Sequence, residues 1–401
     1  MKKEKKLMAG TISRGIKAPI IKQGDDIVKI VADSVEAAMK NDNFTLKDRD
    51  IIAVTEAVVA RADGNYASVD DIAQDVKEKF GDETIGVVFP ILSRNRFAIC
   101  LKGVARGAKK IVLMFAYPSD EVGNHLFDEN LIDESNINPY TDVLSLEEYR
   151  RAFGYAKHPF TGVDYVEYYS DLIRAENCEL EVIFANRPAA IIPYTTSVLC
   201  CDTHTRFRTQ KNILKHGGKN VLTLCDILNH SVNGSGYQPD YGLLGSNKAT
   251  EETVKLFPKN ADEIAHAISK EVSARTGVHV EALVYGDGAF KDPVGKIWEL
   301  ADPVVGAGYT EGLVGLPNEL KLKYLADNDF PELSGEALRN AIVEKIKAKD
   351  GNLKGKMASE GTTPRRLSDL VGSLCDLTSG SGDKGTPIVV VQNYFNNYAN
   401  E

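Results

Sequence analysis

The segment YGDGAFKDP (285–293) puts Asp287 between two glycines at the end of an apolar run, with Lys291 and Asp292 in the same loop. A carboxylate at such a strand end can face a cleft, and flanking glycines let backbone approach an anion or a metal. Asp287, Lys291 and Asp292 are therefore candidates for holding a divalent cation against nucleotide phosphates. A Gly/Asp turn is the plainer alternative. A second segment, SGSGDKG (379–385), offers backbone N–H groups and one lysine, as phosphate-binding loops do. Its residues Ser379, Gly380, Ser381, Gly382, Asp383 and Lys384 lie between a helix and a strand, the reverse of a P-loop, so a simple connector is the alternative. GLLGSNK (242–248) reads first as a turn. In CCDTHTRFR (200–208) adjacent cysteines rarely ligate one ion, so Cys200 and Cys201 read as buried thiols. His204 and Arg206 in that segment suit a clamp on a carboxylate, and Arg94 and His158 are of the same kind.

Several motifs are missing. The chain has no GxxxxGK[ST], HExxH, paired CxxC or GxSxG. GAGYTEG (306–312) misses the GxGxxG spacing and reads as turn glycines.

Three stretches have the periodicity to position these groups. Residues 25–40 put Ile27, Ile30, Val31, Val35 and Ala38 on one helical face, with Asp25 and Asp26 in the first turn, and a buried strand follows from Asp50. Residues 261–277 form an amphipathic helix ended by Gly277, and VHVEALVYG then runs as a strand into Asp287. Near the C-terminus, Thr363 and Pro364 suit a helix start, Leu367, Leu370, Val371, Leu374 and Leu377 form a stripe, and PIVVVQ follows as a strand. Between 96 and 235 the chain is richer in Tyr and Phe and its periodicity is hard to assign; 331–362 reads as a charged surface excursion. The lack of a regular βαβ rhythm favours mixed α+β over a doubly wound sheet.

With 401 residues, 43% of them hydrophobic and 26% charged, the chain can bury a large core and suits two or three structural units. A net charge of −9 argues against nucleic acid as a partner. No apolar run is long enough for a membrane span, and no apolar stretch follows the basic start MKKEKKLMAG. Six cysteines without framework spacing read as reduced thiols, so a cytoplasmic location is expected.

Taken in order, these segments resemble one family. GIKAPIIKQGDDI and DIIAVTEAVVARADG resemble the opening of the coenzyme F-420 γ-glutamyl ligases, GIPxIxxGDD and a strand ending VTxKIVSKAEG. GLLGSN is similar to that family's GxDxSN. The helix, TGV, strand and GDGAFKDP are similar to its helix, TGV, strand and SDTFGRPWR, and PRRLSDLVGSLCDLTSGSGDKGTPIVVV to its last helix, Gly loop and strand.

The resemblance implies an α+β, mixed-sheet γ-glutamyl-ligase-like fold. Residues 1–95 with 236–401 would form the nucleotide- and metal-binding core, and 96–235 an inserted subdomain for acceptor recognition. It implies a homodimeric enzyme that adds L-glutamate to an acceptor carboxylate through an acyl phosphate, using GTP (or ATP) and Mg²⁺ or Mn²⁺. Asp287 falls on the family's metal-binding Asp; Gly288 stands where the family has Thr, so a contact would pass to Asp292. Leu244 stands where GxDxSN has Asp, with Asp240 the nearest substitute. Ser246 and Asn247 match that motif's end, Pro19 and Ile20 the opening nucleotide-contacting turn, and residues 379–384 the closing loop. Glu56 and Arg61 fall on the Ser and Lys of the SKxVSK element. Asp287, Lys291 and Arg206 are the expected catalytic groups, and Arg94, His158 and His204 the expected acceptor contacts. A folate-like acceptor, or a non-catalytic nucleotide-binding member with Leu244 and Gly288 at metal positions, are the alternatives.

Overall fold

The computed structural model describes residues 9–158, 161–286, 305–360, 366–378 and 382–400, with 289–291 and 298–300 described as backbone. The chain opens with strand β1 (Ile12–Ile16), helix α1 (Ile27–Asn41) and strand β2 (Asp50–Thr55). A second run follows: α2 (Val69–Phe80), β3 (Ile85–Val88), α3 (Phe97–Gly107), β4 (Lys110–Phe115), α4 (Leu146–Phe153) and α5 (Tyr165–Ala175). It continues through β5 (Glu179–Phe184), β6 (Ser197–Cys200), α6 (Arg206–Lys215) and β7 (Asn220–Thr223). The chain closes with α7 (Ala261–Thr276), β8 (Val280–Tyr285), β9 (Gly306–Tyr309), α8 (Leu367–Thr378) and β10 (Ile388–Gln392). These elements fall into two compact units: Met1–Val59, Asn260–Gly288 and Val304–Glu401 form the first, Ala60–Lys259 and Ala289–Pro303 the second. The expected boundaries at 95/96 and 235/236 fall inside the second unit.

The first unit is built on a five-stranded mixed sheet in the order β1-β10-β2-β8-β9. β2 and β8 run parallel, and every other neighbour is antiparallel. β8 and β10 are buried along their whole length, as strands covered on both faces must be, which explains their unbroken apolar runs. Helix α1 starts two residues later than the expected 25, so neither aspartate is in its first turn. Asp26 is its N-cap and accepts from the Lys29 N–H at 3.0 Å, while Asp25 accepts from the Lys22 N–H at 2.6 Å. Gly277, in the left-handed region (φ 72°), ends α7 as expected. Helix α8 is rotated from its predicted stripe. Ser368, Val371, Gly372 and Cys375 are its buried residues and Leu377 is 66% exposed, because the close approach of Val305 selects the small side chains. The predicted start of that helix, Thr363 and Pro364, lies outside the described residues. The glycines of 306–312 are strand and packing glycines rather than turn glycines. A Cβ on Gly308 would lie 2.2 Å from the Ala261 carbonyl carbon, so its absence lets α7 seat on β9. The excursion 331–362 carries the helix Gly335–Lys347, whose Ile342 and Ile346 pack with Leu325.

The second unit holds the stretch that resisted assignment. Its sheet runs Leu144–Ser145, β5, β4, β3, β6, β7, all parallel except the two-residue edge strand. Alternate strand residues enter two cores. Ile111, Leu113 and Phe115 pack with residues of α2, α3 and α5, while Val112 and Met114 pack with Ile213 of α6. Ser68 and Asp71 form a capping box on α2. Gly103 and Gly107 let α3 lie against it, since a Cβ on either would fall about 2.5 Å from Ile72 or Ala73. β3 is the first strand of the parallel set; β4 and β5 follow on one side, β6 and β7 on the other. The strand order therefore reverses between β3 and β6. The chain as a whole remains mixed α+β, with sheets of both kinds. All six cysteines are buried and none is in a disulfide.

Candidate functional site

In the first unit, sheet direction alone brings predicted residues to one edge. β1, β2 and β8 end there and β10 begins there, because Ile16 pairs with Ile388, Ile388 with Val54, and Tyr285 with Thr55. The turn after β1 is tied to the loop before β10 by the Ala18 N–H donating to the Gly385 carbonyl at 3.1 Å. The Thr55 N–H donates to the Pro387 carbonyl at 3.0 Å. Pro19 and Ile20 are exposed beside this tie, and Ile20 is 85% exposed, unusual for so large an apolar side chain. Glu56 starts the helix Glu56–Asp63 directly after β2 and is buried. Gly382, Asp383 and Lys384 form an exposed turn closed by the Gly385 N–H on the Gly382 carbonyl at 2.9 Å. The hydroxyl of Thr386, next in the chain, is buried and has no hydrogen-bond partner among the described residues, an unmet polar group at this edge. β8 leaves the sheet at the same edge through Gly286. Asp287 and Asp292 lie outside the described residues, as do Ser379, Gly380 and Ser381. Lys291 is described only as backbone, in a hairpin of Ala289–Lys291 with Trp298–Leu300.

In the second unit the point where strand order reverses is the natural ligand crevice of a parallel sheet, at the carboxyl ends of β3 and β6. Three loops meet there. The first, after β3, begins at Phe89 with φ 55°, a conformation rare for a bulky side chain, and carries exposed Arg94. The second, after β4, carries Asp120 and Glu121. The Asp120 carboxylate accepts from the Leu92 N–H at 2.9 Å and from Asn124, joining the first two loops, and burial pushes its pKa up. Tyr169 of α5 reinforces the join, donating to the Ile91 carbonyl at 2.6 Å and accepting from the Ser93 N–H at 2.8 Å. The third loop, after β6, leads into α6. Its Thr203, His204 and Thr205 N–H groups all point at the Glu121 carboxylate, those of His204 and Thr205 at 3.0 and 3.2 Å, and the Thr205 hydroxyl adds a bond of 3.1 Å. These donors stand at the positive end of α6.

Asp202 supports the nest from beneath. One carboxylate oxygen accepts from the hydroxyls of Thr205 and Thr209 at 2.6 and 2.7 Å, and the other has no hydrogen-bond partner among the described residues. Burial first, then the hydroxyl bonds against it and the nearby Glu121 charge with it, leave the Asp202 pKa raised. Arg206 bonds the Thr203 carbonyl, lies 4.5 Å over the Phe207 ring, and keeps a buried Nε without a hydrogen-bond partner among the described residues.

The predicted residues of this unit mostly converge on that edge. His204 is exposed in the nest loop and Arg206 starts α6. His158 lies 5.8 Å edge-on from Tyr165, and the charge of Arg94 acts on the same phenol. Asn247, half-buried, begins a short strand whose Lys248 N–H donates to the Asn95 carbonyl at 2.7 Å, beside Arg94. Ser246 is buried with its hydroxyl 3.3 Å from the Cys100 sulfur, and Leu244 is packed in the core. Gly242 and Gly245 have φ of 51° and 77°, so the turn reading of GLLGSN holds. Asp240 is exposed on the turn before it, and Arg61 is exposed on the helix Glu56–Asp63. A groove of about 750 Å³ between α4 and α5 is rich in arginine. Its Arg150, Arg151 and Arg174 already face Asp164, Glu147 and Asp171.

A family model described as F420-0:Gamma-glutamyl ligase matches residues 15–393. The chain belongs to that family. The match runs through both units, including the segment that the sequence suggested was inserted. The family is one of ligases, and its name describes γ-glutamyl transfer to F420-0. No curated protein matches the chain. Among the described residues no helix is long and apolar enough to cross a membrane.

Sequence reasoning missed Asp120, Glu121 and Thr386, and it singled out the segment holding Asp202 (200–208) without giving Asp202 a role. For Asp120 and Glu121 the local hint was an acidic pair just beyond an apolar strand, in FAYPSDE (115–121).

Proposed function

We propose that the protein is a nucleotide-dependent amide ligase that joins L-glutamate to an acceptor carboxylate through an acyl phosphate, with GTP the expected nucleotide. The observation that carries this reading is the convergence of the opening turn, Glu56, the exit of β8 and the glycine loop on one sheet edge, in a chain of a γ-glutamyl ligase family. A carboxylate is a poor electrophile. Its oxygen must first take the γ-phosphoryl group, breaking the bond to the nucleoside diphosphate. The amine of glutamate then attacks the acyl carbon, the C–N bond forms, phosphate leaves with the C–O bond, and the ammonium proton passes to a base.

In this reading Pro19, Ile20 and the Gly382–Lys384 turn contact the nucleotide. Lys384 and Lys291 bring positive charge to the phosphates, and the unmet Thr386 hydroxyl donates to one of their oxygens. Asp287 is the proposed metal ligand, a hard oxygen donor that suits Mg²⁺ or Mn²⁺, and Asp292 and the exposed Asp240 are further candidates of the same chemistry. A bound cation would neutralise phosphate oxygens during transfer. The acceptor's anionic groups are received at the carboxyl edge of the second unit by Arg94, His158, His204, Arg206 and the α6 nest. Glu121 occupies that nest until the acceptor arrives. We carry over a homodimeric state and a cytoplasmic location as part of this proposal.

The test is phosphate release from purified protein with GTP or ATP and Mg²⁺ or Mn²⁺, with and without L-glutamate, across carboxylate acceptors including the deazaflavin coenzyme and folates. Release that needs both glutamate and one acceptor is expected, and Asp287→Asn should abolish it while the protein stays folded. Turnover that ignores glutamate would sink the ligase reading. One observation favours a second reading, a nucleotide-binding regulator: Leu244, where the family has Asp, is a core residue only 3% exposed. Nucleotide binding without release under every combination would establish it.

A further inference from the structure

We propose a second, separate metal site on the second unit, formed by Asp75, Glu78 and His230 and suited to a first-row divalent transition metal. Asp75 and Glu78 lie three residues apart on α2, so they share a face. His230 comes from the loop after β7. That loop is pinned to the helix by the Leu228 N–H donating to Asp75 Oδ2 at 2.7 Å. One ligand atom from each residue lies within 4.8 Å of the others.

The decisive group is Asp75. It is fully buried, yet its Oδ1 has no hydrogen-bond partner among the described residues. That oxygen faces His230 Nε2 at 3.9 Å, too far for a hydrogen bond. The other imidazole nitrogen, Nδ1, lies 2.9 Å from the Asn229 Oδ1, an oxygen that can only accept. With Nδ1 engaged there, Nε2 is the ring nitrogen that faces Asp75 Oδ1. A divalent cation seated between Nε2 and the buried, unpartnered Oδ1 would serve both atoms. Two ligands of one ion with bonds of about 2.1 Å stand up to about 4.2 Å apart, which covers the observed distance. Asn229 then acts as the outer partner that orients a metal-bound histidine.

Among the described residues, exposed Glu78 is bonded only to the exposed Gln74, at 2.7 Å, so it can swing the remaining fraction of an ångström. Lys79 sits on Asp75 Oδ2 at 2.7 Å and leaves Oδ1 for the ion. With that ammonium counted, the site keeps one net negative charge from its two carboxylates. Two oxygens and one imidazole favour Zn²⁺, Mn²⁺ or Co²⁺ over Mg²⁺ or Ca²⁺. None of the three residues belongs to the nucleotide edge or to the α6 nest, so the site is independent of the ligase reading.

The experiment is calorimetric titration of chelator-treated full-length protein with Zn²⁺ in excess Mg²⁺, alongside His230→Ala and Glu78→Gln. Both side chains are exposed, so both variants should fold, and the buried thiols should not compete. One equivalent of Zn²⁺ bound by the wild type, weakened at least tenfold in both variants, is expected. Absence of wild-type binding, or binding that survives either substitution, overturns the site. The readout is metal affinity, so it stands or falls separately from any ligase activity.

Discussion

Replacing Glu121 by glutamine should tighten acceptor binding. The Glu121 carboxylate accepts three backbone N–H groups and a hydroxyl at the start of α6, so any acceptor anion entering that nest must first displace it. Glutamine keeps one acceptor oxygen but loses the charge. A charge-assisted bond is worth about 1 kcal/mol more than a neutral one, and a charge at a helix N-terminus about 0.3–1 kcal/mol. The site is partly open to water, so these terms are screened and overlap, and we take about 1 kcal/mol for the whole change. That predicts a fall in Tm of about 2–4 °C for a unit of this size, and about fivefold tighter acceptor binding. The assay is the acceptor KM at saturating nucleotide and glutamate, with the Kd by calorimetry and the melting temperature of the free protein. An acceptor Kd unchanged within twofold, with the expected loss of Tm, would make Glu121 only a remote helix cap. Weaker binding would mean that Glu121 touches the acceptor rather than standing in for it. Either result would remove the acceptor from the nest.

Two further outcomes follow from the first unit. Gly308→Ala would bring a Cβ within 2.4 Å of three backbone atoms of Ala261 and Asp262, which a helix terminus cannot yield cheaply; a loss of about 2–3 kcal/mol is expected, read from the urea midpoint. His266 has a raised pKa because its ring bonds the Asp262 carbonyl at 2.7 Å and Glu311 at 3.1 Å. Its stabilisation is full below the ordinary histidine value of about 6.5 and is lost as pH rises through the folded value. An NMR titration should find that value above 6.5 and lowered by Glu311→Gln, and the stability gap to His266→Gln should close as pH rises.

Elements with strong local signals were legible in the chain itself. The helix at 261–276 has a regular apolar face and a glycine stop, and β2, β8 and β10 are short apolar runs bounded by polar residues. The segments proposed to contact nucleotide could be singled out for the same reason, being contiguous stretches whose glycines and charges can be read without their neighbours. The parallel sheet of the second unit was not legible. β3, β6 and nearly all of β4 are buried on both faces, so they lack the alternation that marks a half-exposed strand, and loops of many lengths separate the strands. Helix α8 was misjudged for a related reason. Large apolar side chains suggested the buried face, whereas close packing selected the small ones.

Residue type and order alone therefore determined the family resemblance, the mixed α+β class and the buried cysteines. Only the tertiary structure decided which residues meet. Strand direction gathers the ends of β1, β2 and β8 with the start of β10 at one edge, although Ile16 and Ile388 are separated by most of the chain. The reversal of strand order between β3 and β6 joins Glu121 to the N-terminus of α6 across 82 residues or more. The orphan oxygen of Asp75 meets His230 only because the loop after β7 returns to α2. Contacts of this kind arise from chain closure around a buried core, and local spacing carries no record of them.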